Sequence, residues 1–414
     1  MKEKSQSALG AAAGRNILLI QLFQFLKGLQ LFGAVTVPFY LEWGRLDYTR
    51  MFTLEASFAL FMFLLEVPTG WIADRFGRKR SLIIGVIIAG ASFVMFGLTR
   101  SYPLFFVANF LCAVGATCVS GADQALVYDT LLWADRAAEG RRVLSRMQAI
   151  TTTAMLVGFP LGSFVAGSGL VSRPQSLALV FIMSGVALML SAVPLLLVTE
   201  PPRAETVRHP LREGIEGVRS LLRPGALRSF TLNYALISAT GFFMFWFYQS
   251  LAREAALPVA LNGPLGAGIN LLGMLLLWTA PRLERRLGLP RLLLTTAVLP
   301  GVLYLGLGAL GSHRMAALSL PAAFVIVGMK LLRAPLLSDL INRQVESRNR
   351  ATMLSGVSML ERGVIFMLYP IIGAAADRSL SIAFIALGGA TLLFAALSRL
   401  PAEMRGSGAE PPNS

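Results

Sequence analysis

Several ionisable side chains lie inside stretches that are otherwise apolar: Lys27, Glu55, Glu66, Asp123, Asp129, Lys330, Arg333, Glu361 and Arg362. A charge placed in hydrocarbon costs on the order of 3 kcal/mol or more, so such a residue faces a wet cavity or a partner. The chemistry open to these groups is proton exchange and electrostatic binding of a solute. Lys27 lies too deep in its apolar stretch to reach either surface easily, with Gln24 one turn away. Asp123 shares a helical stripe with Ser120 and Thr117, the pattern of a helix that lines a cavity, and is the leading candidate for carrying a proton. Glu66, two positions before Pro68-Thr69-Gly70, is the alternative carrier, with a gate or packing role equally open; Glu55 reads as interfacial.

Lys330 and Arg333, three apart, are neighbours on one helix, and Arg362 shares a stripe with Ser355, Ser358 and Tyr369. They form either a cationic wall for an anionic or zwitterionic solute group, or bases neutralised by Glu361 and the acids of the first half. Tyr234, with Phe242, Phe245, Trp246 and Tyr248, could add an apolar wall, or could face lipid or the packed interior.

The elements that must hold these residues are membrane helices. The chain has 414 residues, 55% hydrophobic and only 14% charged, with mean hydropathy +0.65, which excludes an ordinary soluble protein. About 20 apolar residues cross a bilayer, and twelve such segments are expected. The first six are Asn16 to Leu41, Tyr48 to Trp71, Lys79 to Leu98, Tyr102 to Leu132, Val143 to Val165 and Ser176 to Leu197. The second six are Leu227 to Leu251, Pro258 to Ala280, Pro290 to Leu310, Met315 to Asn342, Ala351 to Ala374 and Ser379 to Leu400. The fold class is therefore an all-α membrane protein of two six-helix bundles, residues 1–198 and 227–402, followed by a tail at 403–414. Residues 199–226 read as a linker, with Leu211, Ile215, Val218 and Leu222 at the spacing of a short amphipathic helix.

Lys and Arg cluster in every second loop, at 75–80, 136–146, 203–228, 282–291 and 343–350, which places those loops and both termini in the cytoplasm of a cell-membrane protein. The net charge of +15 then marks a face that meets anionic lipids rather than nucleic acid. No cleaved leader is expected. Cys112 and Cys118 share one segment on different faces and read as packing residues; His209 and His313 form no metal or catalytic constellation.

The run Glu66-Val67-Pro68-Thr69-Gly70-Trp71-Ile72-Ala73-Asp74-Arg75-Phe76-Gly77-Arg78-Lys79-Arg80 joins the second and third segments. Gly70 allows a close helix contact and Gly77 a tight reversal. The matching residues Gly70, Asp74, Arg75, Gly77, Arg78 and Lys79 resemble the signature loop of major facilitator superfamily transporters. A degenerate copy, Leu283 to Arg291, falls at the equivalent place in the second half, with Arg285 where Asp74 would be. Ser120 to Asp129, and Asn342-Arg343 with Arg350 to Ser355, also resemble bacterial members. The antiporter signature of the fifth helix is matched only weakly by Gly158-Phe159-Pro160-Leu161-Gly162-Ser163.

The resemblance implies two pseudo-symmetric halves, alternating access about a midplane site, and a gate in which Asp129 pairs with Arg78. Rocking that parts Asp123 from Lys27 would switch proton affinity between faces. The expected activity is proton-coupled secondary transport of a small amphiphilic organic molecule by a monomer, export being favoured, with no cofactor beyond the proton gradient. The alternatives are proton symport importing an anionic metabolite and, from another class, a non-transporting receptor or scaffold on the same fold. No Gly-x-x-x-x-Gly-Lys-Ser/Thr run supports nucleotide-driven transport, and no enzyme is expected.

Overall fold

A backbone that crosses hydrocarbon must bond to itself, which leaves helices as the solution for long apolar runs. Among the described residues twelve helical spans are long and apolar enough to cross a membrane. They are α1 (Leu9–Ala34), α2 (Tyr48–Glu66), α3 (Arg78–Leu98), α4 (Tyr102–Trp133), α5 (Ala137–Gly167) and α6 (Gln175–Leu197), then α7 (Leu227–Glu254), α8 (Val259–Leu287), α9 (Leu289–Leu310), α10 (Leu318–Ile341), α11 (Gly356–Arg378) and α12 (Leu380–Leu397). The computed structural model describes the backbone of residues 2–202, 219, 221–223, 225–310, 316–343 and 350–398. It describes their side chains apart from 2–8, 67, 71–74, 76, 226, 316–317, 342–343, 350–352 and 354–355. The expected linker helix, the tail at 403–414 and both histidines fall largely or wholly outside those residues.

Four spans are interrupted, among them α6, which is Gln175–Leu190 followed by Ala192–Leu197. The regular helix of α1 ends at Gly28 and continues as a 3-10 turn at Leu31–Ala34, so the uninterrupted Asn16 to Leu41 helix is corrected. Gly28 lies where the chain passes α5 so closely that a Cβ would meet Ala154 at 2.9 Å. α4 consists of Tyr102–Val119 and Ala122–Trp133, parted at Gly121, whose φ of 75° is left-handed. α7 is Ala226–Phe242 followed by Met244–Glu254.

The chain divides into two compact units, residues 1–46, 57–208 and 258–267 in one and 47–56, 209–257 and 268–414 in the other. The units thus depart from a clean split of the sequence, because the first turns of α2 and α8 each pack with helices of the opposite half. Within the first unit, Phe23, Leu82, Val86, Leu126, Leu131 and Leu195 share a core. Leu292, Leu293, Leu332, Leu337 and Ile341 do so in the second. Small residues bring backbones together: a Cβ on Gly115 of α4 would lie 2.5 Å from the Gly85 carbonyl oxygen of α3. Met367 and Trp278 are at least 70% exposed on their helices, as lipid-facing side chains are.

Candidate functional site

The interruptions of α1 and α4 explain how the first unit holds an ion pair. Lys27 stands in the last turn of its helix and Asp123 in the first turn of Ala122–Trp133. A helix carries partial negative charge at its C-terminal end and partial positive charge at its N-terminal end, so each ion sits where the local backbone favours it. The Lys27 Nζ donates to Asp123 Oδ2 at 2.9 Å, and Gln24 Nε2 donates to the same oxygen at 2.8 Å. Asp123 Oδ1 accepts from the Gln124 backbone N–H at 2.8 Å, and the Lys27 ammonium lies 5.2 Å from the centroid of the Phe23 ring. The side chains of Lys27 and Asp123 keep 22% and 13% of their surface accessible, so the pair is only partly buried. Lys27 and Asp123 belong to the same half of the sequence as well as to one compact unit, so rocking of the two sequence halves as rigid bodies leaves them together. The switch expected from rocking is therefore corrected to a local one, since what holds the pair is the charge on Asp123 and Lys27 themselves.

The signature loop turns on Gly77, with φ 111°, and its counterpart in the second half turns on Gly288, with φ 76°. Both turns take a positive φ, which favours glycine at each position. Arg78 bonds the Asp129 carboxylate and donates to the Ala125 carbonyl at 2.8 Å. Lys79, which sequence spacing gave no way to pair, donates to the Leu196 and Val198 carbonyls at 2.8 Å, closing the C-terminal end of α6. Arg75 is exposed in the last turn of its helix; the Asp74 side chain lies outside the described set. Among the described residues Gly70 makes no close helix contact, since a Cβ there would meet none of them within 4 Å. Glu66 is exposed on the side of its helix that also shows Phe63.

The second unit holds a matching constellation. Lys330 Nζ lies 3.2 Å from Glu361 Oε1 and 5.5 Å from the Phe242 ring centroid, while the Tyr234 hydroxyl hydrogen-bonds Glu361. Gly241 gives Lys330 room, a Cβ there lying 3.2 Å from the Lys330 Cβ. The structure therefore brings Lys330, Tyr234 and Phe242 together around Glu361, the acid that the sequence offered as the neutralising partner. It removes Arg333 from the cationic wall. That guanidinium is 1% exposed, donates to Leu293 O at 2.7 Å and Thr296 Oγ1 at 2.8 Å, and bonds Asn233 Oδ1. Arg333 braces α10 against α7 and α9, and Asn233 passes the brace on to Ser398 beyond α12. Arg362 is exposed on α11.

Twelve apolar spans, positive-φ glycine turns in both halves and a paired lysine and carboxylate within membrane helices of each unit define an integral multi-pass membrane protein. The profile of the Major Facilitator Superfamily matches residues 28–361, and the chain belongs to that family. It is 29% identical over 154 residues to multidrug resistance protein 2 of Bacillus subtilis (strain 168), a match that covers 37% of each chain. It is 26% identical over 303 residues to the 4-hydroxybenzoate transporter PcaK of Pseudomonas putida, covering 72% of this chain and 60% of that one. The matches thus span from about a third to three fifths of these relatives' length. Among solved structures, a bacterial homolog of the human lysosomal transporter Spinster superposes with a TM-score of 0.74 at 17% identity, over 95% of this chain and 98% of that chain.

Proposed function

We propose that the protein is a proton-coupled secondary transporter of the cell membrane that exports a small amphiphilic organic molecule in exchange for protons. The Gly77 side and both termini face the cytoplasm, as the distribution of Lys and Arg favours. The observation that carries the reading is the Lys27–Asp123–Gln24 constellation, an ion pair held at two helix breaks and partly open to water. A proton arriving on Asp123 cancels the charge that holds Lys27, and the lysine keeps the aromatic face of Phe23 and the carbonyl end of its helix. Loss of that proton restores the pair. A solute and a proton that compete for this pair exchange across the membrane with no other energy source. Arg78 and Asp129 serve as a gate contact beside the signature loop, and no cofactor takes part.

Proton symport of an anionic metabolite is the second reading, favoured by the longer match to a 4-hydroxybenzoate transporter. Against it, Lys330 is neutralised by Glu361 and Arg333 is committed to packing. A growth screen of a transport-deficient bacterial host expressing the chain, over toxic and nutrient compounds, identifies the solute. In proteoliposomes, Asp123→Asn is then expected to abolish accumulation driven by a pH gradient and to leave downhill exchange measurable. Accumulation against the gradient by that variant assigns coupling to another acid, with Glu66 next to be tested.

A further inference from the structure

The first turn of any helix leaves backbone N–H groups without partners inside the helix. In α2 the first helical bond runs from Met51 N to Asp47 O at 3.0 Å, so the N–H groups of Tyr48, Thr49 and Arg50 need acceptors. Arg50 N–H donates to the helix's own Asp47 at 2.7 Å. The other two are taken by Asp377, at the far end of α11: Tyr48 N–H donates to Oδ1 at 2.7 Å and Thr49 N–H to Oδ2 at 2.9 Å. The Thr49 hydroxyl also donates to Oδ2. Gly373, one turn before Asp377, lets the backbones touch, since a Cβ there would lie 2.8 Å from Thr49 Cα. The Tyr48 and Ser250 hydroxyls are bonded at 2.8 Å, and Phe52 stacks on Tyr369 with centroids 5.4 Å apart. All of these residues lie in the second unit, although α2 belongs to the first half of the sequence.

The repeat-equivalent junction lies in the first unit, where the start of α8 packs on α5. There a Cβ at Gly167 would lie 2.8 Å from the Ala260 Cβ, and the side-chain bond is a neutral one, from the Ser163 hydroxyl to the Ala260 carbonyl at 2.9 Å. The two junctions share small residues and close backbones; the α2 junction adds a carboxylate on a helix N-terminus, where a negative charge is favoured and its hydrogen bonds are strong. The sequence carries the pattern Gly-x-x-Ala-Asp-Arg twice, as Gly70-Trp71-Ile72-Ala73-Asp74-Arg75 in the last turns of α2's helix and as Gly373-Ala374-Ala375-Ala376-Asp377-Arg378 in α11. One copy therefore ends the helix whose other end the second copy holds.

We propose that Asp377 is an outer latch: its carboxylate clamps the first turn of α2 to α11 and must let go whenever the solute path opens on the side away from Gly77. The role rests on the transport reading, whereas the clamp itself can be tested without solute. In a background with Cys112 and Cys118 replaced by Ser, Ser250→Cys supplies a buried reporter beneath the clamp. The measurement is the rate at which a membrane-impermeant maleimide, added outside whole cells, labels that cysteine. Asp377→Ala is expected to raise the rate about fivefold or more, the order of effect of losing a helix cap. Asp377→Asn, which keeps one acceptor but no charge, is expected to raise it less. An unchanged rate in both variants overturns the latch; should the alanine variant fail to fold, an unchanged rate in the asparagine variant alone does so. Asp47→Ala removes a bond within α2's own first turn, and an equal rise there reassigns the effect to fraying and overturns the latch as well. Labelling that responds as expected in a chain that moves no solute sinks the transport reading and leaves the clamp standing.

Discussion

Arg333 separates a packing role from a solute-binding one, and its replacement by Met has an effect that can be worked from the contacts. The guanidinium bonds Leu293 O, Thr296 Oγ1 and Asn233 Oδ1 at 1% exposure, with no carboxylate among those partners. Hydrogen bonds to a charged group contribute about 1.5–3 kcal/mol each, or roughly 5–9 kcal/mol for the set. Burying the cation costs several kcal/mol of lost hydration. Two acceptors also retain a bond after substitution, because Thr296 Oγ1 itself donates to Leu293 O at 3.0 Å; only Asn233 Oδ1 is orphaned. The net loss for Arg333→Met is therefore about 2–4 kcal/mol, which for a unit of this size lowers the melting temperature by roughly 5–15 °C. Arg333→Lys is expected to recover part of this, since an ammonium cannot span all of the acceptors. The assay is thermal unfolding of the purified protein in detergent, with transport measured on the same preparations. An unchanged melting temperature together with a raised KM would refute the brace and return Arg333 to the solute path.

Three further outcomes are expected. A cysteine at Arg78 should react with impermeant reagent only from the cytoplasmic side, and labelling from outside intact cells would falsify the orientation. Gly121→Ala forces a side chain into a left-handed conformation at a cost of about 1–2 kcal/mol. Because the break it supports sets Asp123 in the first turn of a new helix, pH-driven transport should fall further than stability, and an equal fall in both would show that the break has no part in coupling. Glu361→Gln and Lys330→Met should each destabilise the protein, and the double variant less than their sum, by about 1–3 kcal/mol for a partly buried pair. Strict additivity in unfolding measurements would show that the pair is not formed in solution.

Much of the fold was legible because membrane helices announce themselves by length and hydropathy and the loops by their charge. Arg78 and Asp129 were found through the family resemblance, and Lys27 and Asp123 through the cost of a charge in hydrocarbon. The details that give the pair its setting were hidden. Gly28 and Gly121 look in sequence like ordinary packing glycines, and only the backbone shows that helices end there. Lys330 and Arg333, read as neighbours three apart, diverge by enough of a turn that one meets Glu361 and the other enters the helix bundle. The clamp between Asp377 and the start of α2 joins residues more than 300 positions apart, and no local pattern forecasts such a pairing.

The central claim is that solute and proton exchange at Asp123. It is tested most directly by trapping a pH-sensitive dye inside proteoliposomes and adding a solute identified by the growth screen, with no imposed gradient. The account predicts that solute moving through the wild-type protein drives protons the opposite way, so that the dye reports a pH change of matching sign, and that Asp123→Asn moves solute with no such change. Solute movement without proton movement in the wild type, or an undiminished proton signal in Asp123→Asn, would contradict it.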